Sequence, residues 1–427
     1  MIPNRPARPA QSAVVIGGGV VGLSCAYYLA KAGVEVTVLE RAKIGSGSSP
    51  GASGIVAPEH ATPLPGPGQR AFGLRSFFDR DSPLYFRPSL LPSLAPWLTR
   101  FWLHSNARDQ SRGRDAMVQL TKHTLSLFDA MLEDGVEFEM HASGVLWASM
   151  SVSVAQKALD ALRPMEQYGY SIPSKLITGD ALHDVEPTLS DRVKGGFVVE
   201  NDRYLRPEQF TDALAAAVIR HGVKVVEGGD VVELVADKTA VTAARTARAT
   251  LTADHFVLAA GAWTKSLARM LGVHLPIEPG KGYSFSLVPP TMPRRPVWVA
   301  EGLLMTVPRR DHVRVASTME FSGLNMRIDQ RRVATIRRTL EPSFRGWDSS
   351  KMTNLWTGMR PMTPDGLPVI GRLEPYSNAY VASGHGMGGV SEAPATGEAL
   401  SKAIVEGEMP EVLAPFRPNR FRMAWLG

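Results

Sequence analysis

Three glycines near the start of the chain constrain its fold more than any other feature. Gly17-x-Gly19-x-x-Gly22 follows the β-branched run Ala13-Val-Val-Ile16 and opens a stretch that reads as a helix over residues 23–31. Gly33 stops that helix, and Val34-Glu-Val-Thr-Val-Leu39 reads as a second strand, with Glu40 at its end, 40 − 22 = 18 residues after the last glycine. This pattern predicts a βαβ unit. In such a unit the first glycine makes the tight turn. The second lets backbone approach a pyrophosphate, and the third lets helix and strand pack closely. The helix start offers free N–H groups and a positive dipole end to phosphates. Glu40 stands where a carboxylate can accept both ribose hydroxyls. Gly17, Gly19, Val20, Val21, Gly22, Glu40 and Arg41 are therefore candidate dinucleotide-binding residues. An unoccupied turn of the same shape is the alternative.

The rest of the chain bears on which dinucleotide. With 427 residues, two or three domains are expected. A nicotinamide enzyme devotes much of its N-terminal half to one doubly wound sheet. Here the βαβ unit breaks into a Gly/Ser/Pro-rich connection over residues 45–68, followed by mostly helical patterning over residues 70–190. Strand-like runs return at residues 223–226, 231–235 and 256–260, a helix is expected over residues 207–221, and strand alternation marks residues 283–318. A last strand over residues 379–383 leads through a glycine-rich turn into a helix ending near Val405. A sheet that resumes so far downstream reads as the discontinuous cofactor domain of a flavoprotein. Glu40 repels a 2′-phosphate, although Arg41 beside it weakens that argument. FAD is favoured over NAD.

Composition removes other classes. Hydrophobic residues are 44% and charged residues 21% of the chain, as in ordinary globular proteins. The single cysteine, Cys25, excludes an internal disulfide framework, a multi-cysteine zinc site and a CxxC pair, and fits a reducing, cytoplasmic setting. No HxH or HExxH spacing is present, so no metal is expected, and no GxSxG supplies a nucleophile. A net charge of +6 allows weak attraction to anionic membranes without calling for nucleic acid. No run approaches the roughly 18 apolar residues of a membrane span. The apolar run Ala13 to Ile16 stops at Gly17, so it reads as a buried strand, not a signal-peptide core.

Three further stretches stand out. Gly384-His-Gly386-Met-Gly-Gly389 also matches GxGxxG after a strand, but no second strand ending in an acid follows its helix. A turn that aims a helix N-terminus at an anionic group, such as the N1/C2=O edge of a reduced flavin, is the better reading. Arg360 lies in Trp356-Thr-Gly-Met-Arg-Pro-Met-Thr-Pro-Asp-Gly-Leu-Pro-Val-Ile-Gly371. An arginine there suits a planar carboxylate and equally suits a structural ion pair. Phe72, Phe77, Phe78, Tyr85, Phe86, Trp97, Phe101 and Trp102 alternate with Arg70, Arg75, Arg80, Arg87 and Arg100. Helical core with solvated arginines is the leading expectation, with a membrane-surface patch or an active-site lid as alternatives.

Together these motifs resemble the FAD-dependent D-amino-acid oxidase superfamily, and within it the bacterial D-amino-acid dehydrogenase small-subunit group. The resemblance rests on residues 17–40, Ser48-Ser49 through residues 54–58, Pro279-Gly-Lys-Gly-Tyr-Ser284, and residues 356–371 with Gly384-His-Gly386. It spans nearly the whole chain, in family order. It implies an α/β (α+β overall) fold: a Rossmann-like FAD domain over residues 11–60, 195–275 and 355–415, and a mixed-sheet substrate domain over residues 61–194 and 276–354. Residues 1–10 and 416–427 are expected to be tails.

Carried over by motif, Arg360 would hold a substrate carboxylate, with Tyr283, Met305 and His385 beside the reacting centre. Ser48, Ser49, Ala52, Ser53 and Gly54 would line the isoalloxazine and pyrophosphate, and Val231 the adenine. Ala260, Gly261 and Trp263 would face the cofactor's inner side, and Gly358, Arg360, Gly384, Gly386, Met387 and Gly388 the flavin ring. The group typically has Asn where this chain has Ala52, and Leu and Trp where it has Gly388 and Val390, which bears on substrate range. No cysteine lies in the C-terminal region and no histidine in the 48–54 loop, so FAD is expected to be non-covalent.

The implied reaction is oxidative deamination. Hydride passes from Cα of an amino acid, expected to be of D configuration, to flavin N5, and the imino acid hydrolyses to a 2-oxo acid and ammonia. A secondary-amine oxidase acting on glycine, sarcosine or proline-like substrates, and a flavin subunit of a larger electron-transfer complex, are the alternatives. Quinone, a partner protein and oxygen stay open as electron acceptors. A cytoplasmic location, with peripheral contact at the inner face of the cytoplasmic membrane, is the expectation.

Overall fold

A computed structural model describes residues 11–79 and 81–421. Two sheets position everything else. In the first, strands run in the order Lys224–Glu227, Glu35–Glu40, Ser12–Ile16, His255–Leu258, Ala379–Ser383 and Val369–Arg372. The first five are mutually parallel and the last is antiparallel. Ser12–Ile16, His255–Leu258 and Ala379–Ser383 are buried almost throughout, which is why they read as continuous apolar runs rather than alternating ones. Helix Val20–Lys31 packs with Pro207–Arg220 and Gly389–Glu406 into one core around Leu23, Ala26, Leu214, Ala393 and Leu400. A side chain at Gly397 would come within 2.6 Å of the Ser24 backbone, so glycine there sets the spacing of two of these helices.

The second sheet has nine strands among the described residues. Eight lie in the order Thr353–Met362, Glu278–Leu287, Val313–Phe321, Leu304–Pro308, Val297–Val299, Val145–Ser149, Gly195–Val199 and Ile177–Thr178, with Leu84–Phe86 pairing beside Val313–Phe321. Strand alternation gives it two unlike faces. Phe285, Leu287, Val297, Val299, Leu304, Val313 and Val315 meet Val333, Ile336 and Leu340 of the helix Gln330–Ser343. The i, i+3, i+7 spacing of those three residues makes the helix amphipathic, and burying each contributes roughly 1.5–3 kcal/mol. The opposite face, carrying Ala316, Met305, Trp298 and Trp147, lines a cavity.

Several expectations change on folding. The first helix begins at Val20 rather than residue 23, because Gly19 is already extended (φ −82°, ψ 175°) and the Ser49 hydroxyl accepts the Val20 N–H at 3.2 Å. Strand Gly195–Val199 and strand Thr353–Met362 belong by pairing to the second sheet, although residues 195 and 355 were expected to begin segments of the cofactor domain. Of the expected tails, residues 1–10 and 422–427 lie outside the described residues, but residues 416–421 are packed. Phe416 is fully buried, and Arg420 forms an ion pair with Asp365 at 2.7 Å.

The aromatic–arginine stretch is core only in part: Phe86, Leu94 and Trp97 form a small cluster with Met319, Phe321 and Met362, and Phe101 packs against it. Helix Gln69–Phe78 buries only Ser76, and Leu91–His104 buries only Leu94 and Trp97. The rest of their apolar side chains turn to the cavity and to solvent, with Phe78 89% exposed. Arg80 lies outside the described residues.

Candidate active site

A cavity of about 1200 Å³ extends from the C-terminal ends of the parallel strands to the open face of the second sheet. At its first end the Gly17 turn adopts φ 120°, and a Cβ there would stand 2.5 Å from the Ala259 carbonyl oxygen. Only glycine fits. The helix that follows has no cap from its own N-cap residue Gly19 and no acid in its first turn, and beyond the Val20 N–H taken by Ser49 its start suits an anion such as a pyrophosphate. Glu40 accepts the Gly18 N–H at 2.8 Å and the Ala42 N–H at 3.0 Å, one on each carboxylate oxygen. Each oxygen keeps a lone pair for a ribose hydroxyl. The Arg41 guanidinium lies 3.9 Å from the centre of the Trp263 ring. Gly19, Val20, Val21, Val231, Ala260 and Gly261 complete this end of the lining.

The 48–54 loop closes over the middle. The Ser48 hydroxyl donates to the Met359 carbonyl at 2.7 Å, tying the loop to strand Thr353–Met362. Ser49, Ala52 and Ser53 line the cavity. A Cβ at Gly51 or at Gly358 would stand 2.0 Å from the Trp356 ring, so the two glycines seat that indole. The residues present therefore fit a dinucleotide laid from the Gly17 turn to the sheet.

At the sheet, Arg360 pairs in register with Gly280, and a Cβ on neighbouring Gly282 would stand 2.5 Å from its guanidinium carbon. One N–H of Arg360 donates to the Thr318 carbonyl at 2.7 Å. Among the described residues no carboxylate forms an ion pair with it, against the structural ion-pair alternative. Desolvation lowers its pKa to about 10, so it stays cationic at neutral pH. An unneutralised guanidinium on a cavity wall is a site for an anion. Met305, Gly386, Met387 and Gly388 also line the cavity.

Two of the expected catalytic residues have other engagements. Tyr283 borders the cavity, but strand alternation puts its ring with Phe285 and Leu287 in the core beneath the sheet. Its hydroxyl is 2.5 Å from Glu320, which also pairs with buried Lys281 at 3.1 Å, and it accepts the Asp329 N–H. Burial and the Glu320 hydrogen bond raise its pKa far out of range for acid–base work. His385 shares a 3.0 Å hydrogen bond with Thr396, and burial pushes its pKa down to about 3, so it is neutral. It can position the turn but not carry a proton.

Gly22, Gly54 and Gly384 do not line the cavity. A Cβ at each would meet the Gly17 carbonyl at 2.0 Å, the Leu205 carbonyl at 2.1 Å and the Thr363 side chain at 2.7 Å, so all three allow close packing behind the wall.

Other cavity residues left no sign in the sequence. Thr318 holds φ 63°, rare for a β-branched side chain, at an irregularity in strand pairing. Glu392, in the first turn of helix Gly389–Glu406, reads in sequence as an ordinary N-terminal acid. In the fold it is a buried cavity residue. His60 stacks on Trp147 with ring centres 4.8 Å apart and reaches buried Asp202 at 3.0 Å.

Residues 12–403 match the family described as "DAO: FAD dependent oxidoreductase". The chain is 32% identical over 410 residues to the D-amino acid dehydrogenase of Methylobacterium nodulans, covering 93% of this chain and 96% of that one. It is 33% identical over 423 residues to the enzyme of the same name from Methylobacterium sp., covering 96% and 99%. Among solved structures, glycine oxidase from Geobacillus kaustophilus superposes with a TM-score of 0.73 at 23% identity, over 96% of this chain and 98% of that one. L-proline dehydrogenase from P. horikoshii gives 0.72 at 22% identity, over 97% and 98%. At these identities the structural matches speak for the fold.

Proposed function

Because the chain belongs to the DAO family of FAD-dependent oxidoreductases, we propose that it oxidises an amino acid of D configuration to the imino acid, which water converts to a 2-oxo acid and ammonia. The observation that carries this reading is Arg360, a cationic guanidinium on the cavity wall with no carboxylate pairing it among the described residues. The D configuration rests on the name shared by the relatives that are 32% and 33% identical.

FAD, when bound, supplies the two-electron acceptor. Residues 17–22, Glu40, Arg41 and Val231 would hold its adenosine and pyrophosphate end. The 48–54 loop, Trp263, Gly358 and residues 386–388 would hold its flavin end. We assign no covalent link to it: Cys25 is a core residue whose thiol burial pushes up to about 12, and His385 is hydrogen-bonded to Thr396. On this assignment the cofactor half comprises the first sheet with its helices, and the substrate half the second.

Arg360 keeps N–H groups beyond the one given to Thr318, so it can grip a carboxylate and fix which Cα bond faces the flavin. With Tyr283 bonded to Glu320 and His385 neutral, positioning rather than a dedicated side-chain base carries the reaction.

At the cavity mouth, exposed Leu74, Phe77, Phe78, Trp102 and Leu103 lie among arginines, and Arg70 ties the two helices by donating to the Trp102 carbonyl at 3.0 Å. This patch supports a peripheral membrane contact and favours a lipid-dissolved quinone as electron acceptor. Among the described residues no helix is long and apolar enough to cross a membrane.

A dye-coupled screen of D- and L-amino acids, glycine, sarcosine and proline, with an oxygen electrode in parallel, tests the assignment. Reduction by D-amino acids is expected. Turnover confined to glycine, sarcosine or proline overturns it.

A further inference from the structure

The helix Gly389–Glu406 has 18 residues and starts at the cavity, with Gly388 as its N-cap and no side-chain cap. Glu392 lies one turn in, is only 9% exposed and lines the cavity. Its Oε2 is buried with no hydrogen-bond partner among the described residues. Its Oε1 folds back under the glycine turn so closely that a Cβ at Gly388 would stand 1.9 Å from it.

We propose that Glu392 is a cofactor-site residue, a neutral carboxylic acid whose O–H donates a hydrogen bond to an acceptor on the pyrimidine edge of bound FAD. This rests on the placement of the flavin ring against residues 386–388. Three physical points support it. A buried, unpartnered carboxyl is expensive, so a structure keeps one where a ligand completes it. A charged carboxylate at this helix start would cancel the positive dipole end that favours electron gain by the flavin, whereas a neutral acid leaves it in place. Burial alone raises this carboxyl to about 8, which keeps the proton on it at neutral pH.

The experiment compares the holoenzymes of the parent, Glu392→Gln and Glu392→Leu. The FAD dissociation constant is read by titrating flavin-depleted protein, and the flavin midpoint potential by equilibration with a reference dye. Gln keeps a donor and should stay near the parent in both. Leu removes the hydrogen bond at similar size. It should weaken FAD about fivefold, the worth of one net hydrogen bond, and lower the potential. A potential that rises in the Leu variant would mean that a charged carboxylate had stood there, and an unchanged one that Glu392 is a spacer; either overturns the inference.

Met387→Trp, at an exposed cavity residue, separates this from the ring placement itself. If the ring lies against the turn, the indole alters flavin fluorescence whatever Glu392 does. A silent Met387→Trp sinks the placement and the inference together. An active Met387→Trp with a silent Glu392→Leu sinks the inference alone.

Discussion

The Thr318 carbonyl accepts a hydrogen bond from the Arg360 guanidinium at 2.7 Å, and Thr318 adopts φ 63° at that point. A β-branched residue in the left-handed region costs of order 1–3 kcal/mol, and such residues cluster where a site is being held in place. The strand bends out of regular pairing there, between Lys281 opposite Glu320 and Tyr283 opposite Ser317. Its displaced carbonyl engages one terminal nitrogen of the arginine, which also reaches the Met319 sulfur at 3.7 Å, and the arginine lines the cavity.

Arg360→Ala should cost about 2–5 kcal/mol in substrate handling, roughly 30- to several-thousand-fold in flavin reduction and in binding of a carboxylate inhibitor. FAD content should change much less. Arg360→Lys should fall between, because a point charge attracts a carboxylate without the fork that orients it. Flavin reduction at the parental rate in the Ala variant would leave the arginine a structural role only.

Gly282→Ala tests the space in which that guanidinium sits. Its new Cβ would stand 2.5 Å from the Arg360 guanidinium carbon, so the guanidinium must move. The guanidinium is the far end of a flexible side chain, so it can shift at little cost to stability and the effect should fall on its aim. The loss should appear as a raised KM, with the flavin spectrum retained. An unchanged KM would show that the arginine relaxes freely.

Glu40→Ala should loosen FAD by about 1.5–3 kcal/mol, the usual worth of a hydrogen bond to a charged group. Glu40 also fastens its own turn through the Gly18 and Ala42 N–H groups, so the thermal midpoint should fall as well. Ultrafiltration followed by flavin absorbance measures the retained cofactor. Full retention would place the adenosine elsewhere.

The Glu392 carboxyl has its pKa raised by burial from 4.5 to about 8. Below 4.5 the folded and unfolded chains both hold the proton, and its ionisation adds no pH-dependent cost. As pH rises from 4.5 to about 8 the unfolded chain gives up its proton while the folded chain keeps it, so stability is lost across that window and the loss is constant above it. The stability advantage of Glu392→Gln over the parent should therefore grow between about pH 5 and pH 8, then level off. Denaturant midpoints at several pH values read this directly. An advantage independent of pH would mean that the carboxyl is not buried.

The apolar patch at the cavity mouth should bind anionic liposomes at low salt. Binding should weaken as the Debye length falls from about 10 Å at 0.1 M to 3 Å at 1 M. Phe78→Asp, at a side chain 89% exposed, should reduce binding without lowering the thermal midpoint. No sedimentation with liposomes at low salt ends the membrane reading.

Local physics made much of this protein legible in its sequence. The Gly17 turn, Glu40 at the end of the second strand, and the strand–turn–helix around residues 379–405 are decided by glycine sterics and short-range periodicity, and they stand close to where the pattern puts them. Arg360 is legible as a chemical type suited to carboxylates, but its freedom from an ion pair is not. That depends on strands Glu278–Leu287 and Val313–Phe321, which are distant in sequence and meet it only through pairing register.

Tyr283 shows the same limit. Its neighbourhood in the chain marks it as a site residue, yet strand alternation turns its ring into the core, and a partner 37 positions away takes its hydroxyl. The helices Gln69–Phe78 and Leu91–His104 read as core because they are apolar; only the tertiary structure shows that Leu94 and Trp97 join a small core while much of the remaining apolar surface meets a cavity and solvent. Glu392 is the clearest case. An acid in a first helical turn is ordinary in sequence, and its burial arises only when that helix packs on Val20–Lys31 with its start at the cavity. The sequence by itself determined the Gly17 turn, the first βαβ unit and the C-terminal strand–turn–helix, because those depend on neighbours within a few residues; strand Val145–Ser149, inside a stretch that reads as mostly helical, forms only by pairing with distant Val297–Val299 and Gly195–Val199. The tertiary structure alone decided which polar groups are left without partners, because burial and pairing are properties of surfaces brought together from distant parts of the chain.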